Sequence, residues 1–200
     1  MKDREILRKL AAKVREIAGL SEMAERKKRW YDQNALKPQR PLILCFPEGA
    51  WDEICNEKVC ECKDKIFRGW ELVLRRRIYW WEHIHDDHVE EPFFGICRQV
   101  SDNGMGVEVN YTHGENRGSY VWEPPIKELG TDIEKLHFRK PVLNHEKTME
   151  SFELAQKTLG DILTVVLYGG FGWSCGLTAT AIRLIGLEKL MLAMYDEPQN

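Results

Sequence analysis

The segment from Gly160 to Pro198 constrains the fold of this chain more than any other. Gly160-Asp-Ile-Leu-Thr-Val-Val-Leu-Tyr168 is a short run rich in β-branched residues; it stops at Gly169-Gly-Phe-Gly-Trp173 and passes into a helical run closing at Met194-Tyr-Asp-Glu-Pro198. A strand that halts at a Gly/aromatic loop and continues straight into a helix is one β-α step of an α/β protein. In such steps the loop at the strand's C-terminal end is where ligands bind.

Upstream patterning extends the same reading. Ile6, Leu7, Leu10, Val14, Ile17 and Ala18 fall at helical spacing over Arg4–Ala18, and Gly19 ends that helix. Ser21 is placed to cap a second helix running to about Asn34, with Glu22 and Glu25 in its first turn. Its Arg26-Lys-Lys-Arg29 cluster reads as a solvated face, with an anion site as the alternative. After Pro38 and Pro41, Leu42-Ile-Leu-Cys-Phe46 predicts a buried strand of a parallel sheet. Ile66 to Ile84 predicts a long helix with a wide apolar stripe, and Val89 to Phe94 a second buried strand. Segments from Gly95, Gly106 and Gly118 alternate with period two and predict an antiparallel excursion over about 95–123. Lys127 to Leu136 predicts a short helical turn. Glu146 to Leu159 predicts an amphipathic helix leading into a strand at Ile162–Tyr168.

A hydrophobic content of 43%, a charged content of 30% and a net charge of −3 are those of an ordinary globular protein, and argue against nucleic acid or an anionic membrane as partner. No run approaches about 18 apolar residues, which argues against a membrane helix, and the charged N-terminus lacks an apolar signal core. The expectation is a cytoplasmic protein whose six cysteines are free thiols. Cys60-Glu-Cys62 reads as two thiols on a charged loop.

If the sheet is parallel, its strand ends form a rim carrying Glu48 and Trp51, then Glu90 and Glu91, then Phe171 and Trp173. Paired carboxylates can divide general acid and base work when their surroundings push their pKa values apart. Glu48 and Glu91 are therefore the catalytic candidates, and Trp51, Phe171 and Trp173 the substrate-binding ones. His83-Ile-His-Asp-Asp-His88 is the densest group of metal-capable side chains. At a helix C-terminus its histidines read as structural, facing the macrodipole and the free carbonyls. Cys175 after Ser174 has no histidine placed to activate it, and His113 reads as a surface turn residue.

Several of these segments together resemble a known family. The order Arg40-Pro-Leu-Ile-Leu44, Ile126-Lys-Glu-Leu-Gly-Thr-Asp-Ile-Glu-Lys-Leu-His-Phe138, Leu167-Tyr-Gly-Gly-Phe-Gly-Trp173 and Leu192-Ala-Met-Tyr-Asp-Glu-Pro198 resembles the uroporphyrinogen decarboxylase superfamily. It is most similar to the branch of uncharacterised and corrinoid-linked methyltransferase-like members, where Arg29-Trp-Tyr-Asp-Gln-Asn-Ala-Leu36 also fits. The resemblance is collinear over about residues 25–200. It implies an α/β chain forming part of a (β/α)8 TIM-type barrel, with residues 1–36 as an N-terminal helical extension and 37–200 as the first β-α units.

Family members either decarboxylate the acetate arms of uroporphyrinogen without a cofactor or transfer methyl groups using zinc and corrinoid proteins. Phe46-Pro-Glu-Gly-Ala-Trp51 stands where the decarboxylases carry a Gln-Ala-Gly motif flanked by arginines, and Glu48 would repel that octa-acid. The resemblance thus implies corrinoid-dependent methyl transfer from a small methylated substrate. A cofactor-free decarboxylase of another carboxylated, tetrapyrrole-like substrate is the rival, and a catalytically silent, partner-binding module the non-enzyme alternative. The family's zinc ligands, a His-x-Cys pair and a later Cys, lie in a second barrel half. No metal or cofactor is expected on this chain itself, while zinc and a corrinoid protein would serve the complete one. A (β/α)8 barrel takes about 250 residues. The chain is accordingly expected to be a fragment, or to complete itself by self-association or with a complementary half-barrel.

Overall fold

The computed structural model describes residues 2–115, 119–169 and 176–196. The protein is of mixed α/β class and divides into two compact units, residues 1–97 with 146–168, and residues 98–145 with 169–200.

In the first unit, α1 (Lys2–Ala18) places Leu7, Ala11 and Val14 on one face, and all three are fully buried. That spacing is one stripe of an amphipathic helix. The stripe packs on α4 (Lys65–His83), whose Leu74 is fully buried, and on Ala155 and Leu159 of α6 (His145–Leu159). The first helix is thus part of the core, and the boundary expected at residues 36–37 is not a boundary between units. Asp64 caps α4 by accepting from Ile66 N at 2.9 Å and Phe67 N at 3.0 Å, which satisfies two of the donors that a helix start leaves open. The predicted cap of α2 (Ser21–Asn34) is not made: Ser21 is its first helical residue, and Leu20 in the capping position offers no side-chain acceptor.

The sheet of this unit is one parallel pair, β1 (Phe93–Cys97) beside β6 (Thr164–Tyr168). Phe94 opposes Val165 and Ile96 opposes Leu167, so alternate residues enter the core. On the other face the Tyr168 ring lies over Gly95. A Cβ there would stand 2.9 Å from the ring, so glycine is what allows the contact.

Two strand expectations are corrected. Phe93–Cys97 replaces Val89–Phe94. Leu42–Phe46 is not a strand at all, and Ile43, Leu44 and Phe46 are exposed. The reason lies in the hydrogen bonds. Ile43 N donates to Asp87 Oδ2 at 3.0 Å, Cys45 N donates to Asp86 Oδ2 at 2.9 Å, and Asp87 N donates back to Ile43 O at 2.9 Å. Two aspartates thus take the donors that a neighbouring strand would have used.

The second unit holds the hairpin of β3 (Asn110–His113) and β4 (Tyr120–Glu123), the short pair β2 (Val100–Ser101) and β5 (Val142–Leu143), and the helices α5 (Leu129–Asp132), α7 (Leu177–Ile185) and α8 (Leu187–Asp196). The antiparallel excursion is therefore real but smaller than expected, since the Gly95 segment belongs to the parallel pair. Tyr111, Tyr120 and Trp122 cluster on the hairpin, and Trp122 Nε1 donates to Arg183 O at 3.0 Å. Among the described residues no barrel closes, and parallel pairing is confined to β1 and β6. No helix among them is long and apolar enough to cross a membrane.

Candidate functional site

The predicted rim is not assembled as the sequence suggested. Glu91 precedes β1, so it sits at the N-terminal end of the strand rather than its C-terminal end. There its carboxylate accepts from Lys27 Nζ at 2.6 Å. Glu48 is exposed on a 3₁₀ turn (Glu48–Ala50) with φ of 45°, a left-handed conformation that costs a non-glycine residue energy. Trp51 opens the short helix α3 (Trp51–Ile54) and is committed to packing. Its ring meets Tyr79 and Trp80 of α4 with centroids 6.0 Å apart, and Arg76 stacks over it at 5.4 Å. Phe171, Trp173 and Cys175 lie outside the described residues.

The C-terminal ends of the two parallel strands carry a different pair, Cys97 opposite Tyr168. Burial and a hydrogen bond with the Cys97 thiol push the Tyr168 phenol above its ordinary value. It is therefore protonated at neutral pH, while half of the side chain is exposed. A protonated phenol has one hydrogen, and donates it to a bound oxygen in exchange for the Cys97 contact.

The most organised polar cluster was not anticipated as such. Arg26, read as part of a solvated face, is buried. Its guanidinium binds Glu22 Oε1 at 2.6 and 3.0 Å, donates to His88 O at 2.8 Å and stacks on Trp81 at 5.1 Å. Asp87 is also buried, and accepts from Arg40 at 2.8 and 2.5 Å and from Arg29 at 3.3 Å. The Arg40 hydrogen bonds, and then the Ile43 amide, hold its carboxyl down at about 2. Glu90 is buried against Arg77, with His88 Nε2 3.8 Å from its second oxygen. Burial alone would raise the Glu90 pKa, but His88 and Arg77 together hold it below its ordinary value. Of the histidine-rich run, His83 stacks on Tyr79 at 4.0 Å and His88 on Trp80 at 4.5 Å. Asp86 accepts from the Trp80 indole and from His88 N. His113 is exposed at the end of β3, as expected.

A fully buried Glu71 lies on α4 beside the apolar stripe that its spacing predicts. It accepts from Glu61 N at 2.9 Å, Cys62 N at 2.7 Å and Arg75 Nε at 2.7 Å. Cys62 is correspondingly in the core instead of on a charged loop, and burial pushes its thiol up to about 12. The signal for Glu71 was present, because Arg75 follows it at i+4. The signal for Asp87 was not, since its arginines lie 47 and 58 residues away.

Among the described residues no three His, Cys, Asp or Glu side chains gather into a metal centre. No family model matches the chain, and neither a curated protein nor a solved structure does.

Proposed function

We propose that this chain is a uroporphyrinogen decarboxylase-like protein related to the corrinoid-dependent methyltransferases and acting on a small methylated substrate, with a TIM-type barrel as its parent architecture. The observation that carries the reading is the parallel register of β1 and β6, with α6 leading into β6. Parallel strands need a crossover, and a helix running into the second strand is the form it takes in (β/α)8 folds. The collinear segments from Arg29 to Pro198 supply the rest of the support.

The proposed chemistry is taken to lie at the strand ends, at Cys97 and Tyr168, rather than at Glu91. In this scheme the Tyr168 phenol orients the heteroatom of the methylated substrate. Glu48 remains the exposed carboxylate among the sequence candidates. A corrinoid carries the methyl group when bound, and the described residues contribute substrate orientation.

The test is to incubate the protein with cob(I)alamin, zinc in the buffer, and methanol, dimethylamine or a methoxylated benzoate as donor. Growth of the methylcob(III)alamin spectrum above a protein-free control is the expected result. If instead carbon dioxide is released from a carboxylated porphyrinogen without a corrinoid, the decarboxylase reading replaces it. If neither reaction exceeds the control, the chain is inactive by itself, and size-exclusion with light scattering then separates the silent module, a well-folded monomer, from an incomplete barrel, which aggregates or pairs.

A further inference from the structure

We infer that the cleft between α2 and the Pro38–Leu42 segment binds a small zwitterionic carboxylate of amino-acid size, its carboxylate on Arg29 and Arg40 and its cationic group toward Glu25. The cleft is a cavity of about 460 Å³ whose walls include Glu25, Arg29, Asp32, Gln39 and Arg40, a volume within the range of small-molecule sites. Arg29 and Arg40 also face a second cavity of about 390 Å³ beside His85 and Asp87. The two guanidiniums thus form a wall between two accessible spaces.

Their hydrogen bonding leaves capacity toward the cleft. Arg40 spends Nη1 and Nη2 on Asp87 and on Pro41 O, keeping its Nε–H. Arg29 spends a single N–H on Asp87, at 3.3 Å. Two guanidiniums therefore share one buried carboxylate and keep donors free toward the cleft. A carboxylate is the anion whose two oxygens match such a fork. On the same face of α2, Glu25 and Asp32 stand one turn to either side of Arg29; Asp32 is matched by Lys28 at 2.7 Å, whereas Glu25 takes part in none of the described ion pairs. A ligand carrying an ammonium group next to its carboxylate engages Glu25 as well as the arginines, and a plain anion engages the arginines alone. The backbone of the site is fixed. Trp30 Nε1 donates to Asp87 O at 2.8 Å, and Asp87 exchanges hydrogen bonds with Ile43, so α2 and the 40–43 segment are held to the same residue.

The test uses free L-alanine, propionate, which lacks the ammonium group, propylamine, which lacks the carboxylate, and inorganic phosphate as a fourth probe. The readout is the NMR shift of the Arg29 and Arg40 Nε–Hε resonances on titration. L-Alanine is expected to shift both with saturation, propionate to bind about tenfold more weakly, and propylamine not to shift them. Arg29→Gln is expected to weaken L-alanine at least about tenfold, the equivalent of one charge-assisted hydrogen bond. The Arg29 contact with Asp87 is long and single, so this variant keeps the Arg40–Asp87 pair, which its own spectrum reports. Glu25→Gln, at an exposed position, is expected to weaken L-alanine and leave propionate unchanged. The inference is overturned if L-alanine does not saturate, if inorganic phosphate binds as tightly as L-alanine, or if both variants bind like the parent.

Discussion

Replacing Asp87 by Asn tests whether one buried carboxylate organises the loops around α2. The side chain is 7% exposed and faces two arginines and the Ile43 amide. A carboxyl held at about 2 in place of 3.8 contributes about 2 kcal/mol at neutral pH, at roughly 1.4 kcal/mol per tenfold change in acid dissociation. Arg40 is 48% exposed, so water recovers part of what the variant loses. The cost therefore stays below the roughly 3–5 kcal/mol of a fully buried broken pair. Because the folded-state pKa is depressed, this stability is fully present above the ordinary pKa of 3.8 and is lost as the pH falls through about 2. The gap between parent and Asp87→Asn should then be about 2 kcal/mol at pH 7 and about half of that at pH 3. Urea unfolding followed by tryptophan fluorescence measures it, since Trp30, Trp51, Trp70, Trp80 and Trp81 all belong to the unit that holds Asp87. A gap below about 0.5 kcal/mol at pH 7, or one that does not shrink toward pH 3, refutes the reasoning.

Further outcomes follow from the same geometry. Cys62, buried and with its thiol pushed up to about 12, should resist iodoacetamide at pH 8 while the exposed Cys45 is alkylated; mass spectrometry of peptides after brief labelling decides this, and equal labelling of the two contradicts it. Gly106 has φ of 93°, and a Cβ there would stand 2.2 Å from Lys135 O. Gly106→Ala should therefore cost at least about 1–3 kcal/mol and lower the melting temperature, and an unchanged melt would remove the basis for that placement. In the methyl-transfer assay Tyr168→Phe should lower turnover about tenfold or more, as the loss of one oriented hydrogen-bond donor. Glu91→Gln should leave turnover within about twofold, since that side chain is engaged by Lys27 at the other end of β1. The reverse ranking would restore the Glu91 rim, and Glu48→Ala without effect would remove the remaining carboxylate from the candidates.

What the sequence made legible was whatever depends on near neighbours. The spacing of Leu7, Leu10, Val14 and Ile17 located α1, and the Ile66–Ile84 pattern located α4 to within a residue at each end. Helical spacing reports burial directly, because residues three and four apart share a face. An apolar run such as Leu42–Phe46 carries no equivalent information. It calls for cover, which Phe46 finds edge-on against Trp80 at 5.4 Å, but it does not say whether its amides meet a strand or a side chain. Here Asp86 and Asp87 reach those amides from more than 40 residues away, and the strand does not form.

The same limit explains the displaced site. Arg26 with His88, Lys27 with Glu91, Arg40 with Asp87 and Arg8 with Asp161 are separated by 62, 64, 47 and 153 residues. Judged against its own stretch of sequence, none of these arginines or lysines reveals its distant partner. Only the fold reveals that Asp87 joins α2 to the 40–43 segment and that Lys27 occupies Glu91. A misplacement of four residues in β1 then changed the chemistry as well as the boundary. It moved Glu91 to the strand's N-terminal end and brought Cys97, which had been assigned to a different sheet, opposite Tyr168. Candidate residues chosen by strand ends are only as well placed as the strands. In a two-stranded parallel pair, with one partner to fix the register, a single side chain lying over Gly95 carries as much positional information as the whole apolar run that precedes it.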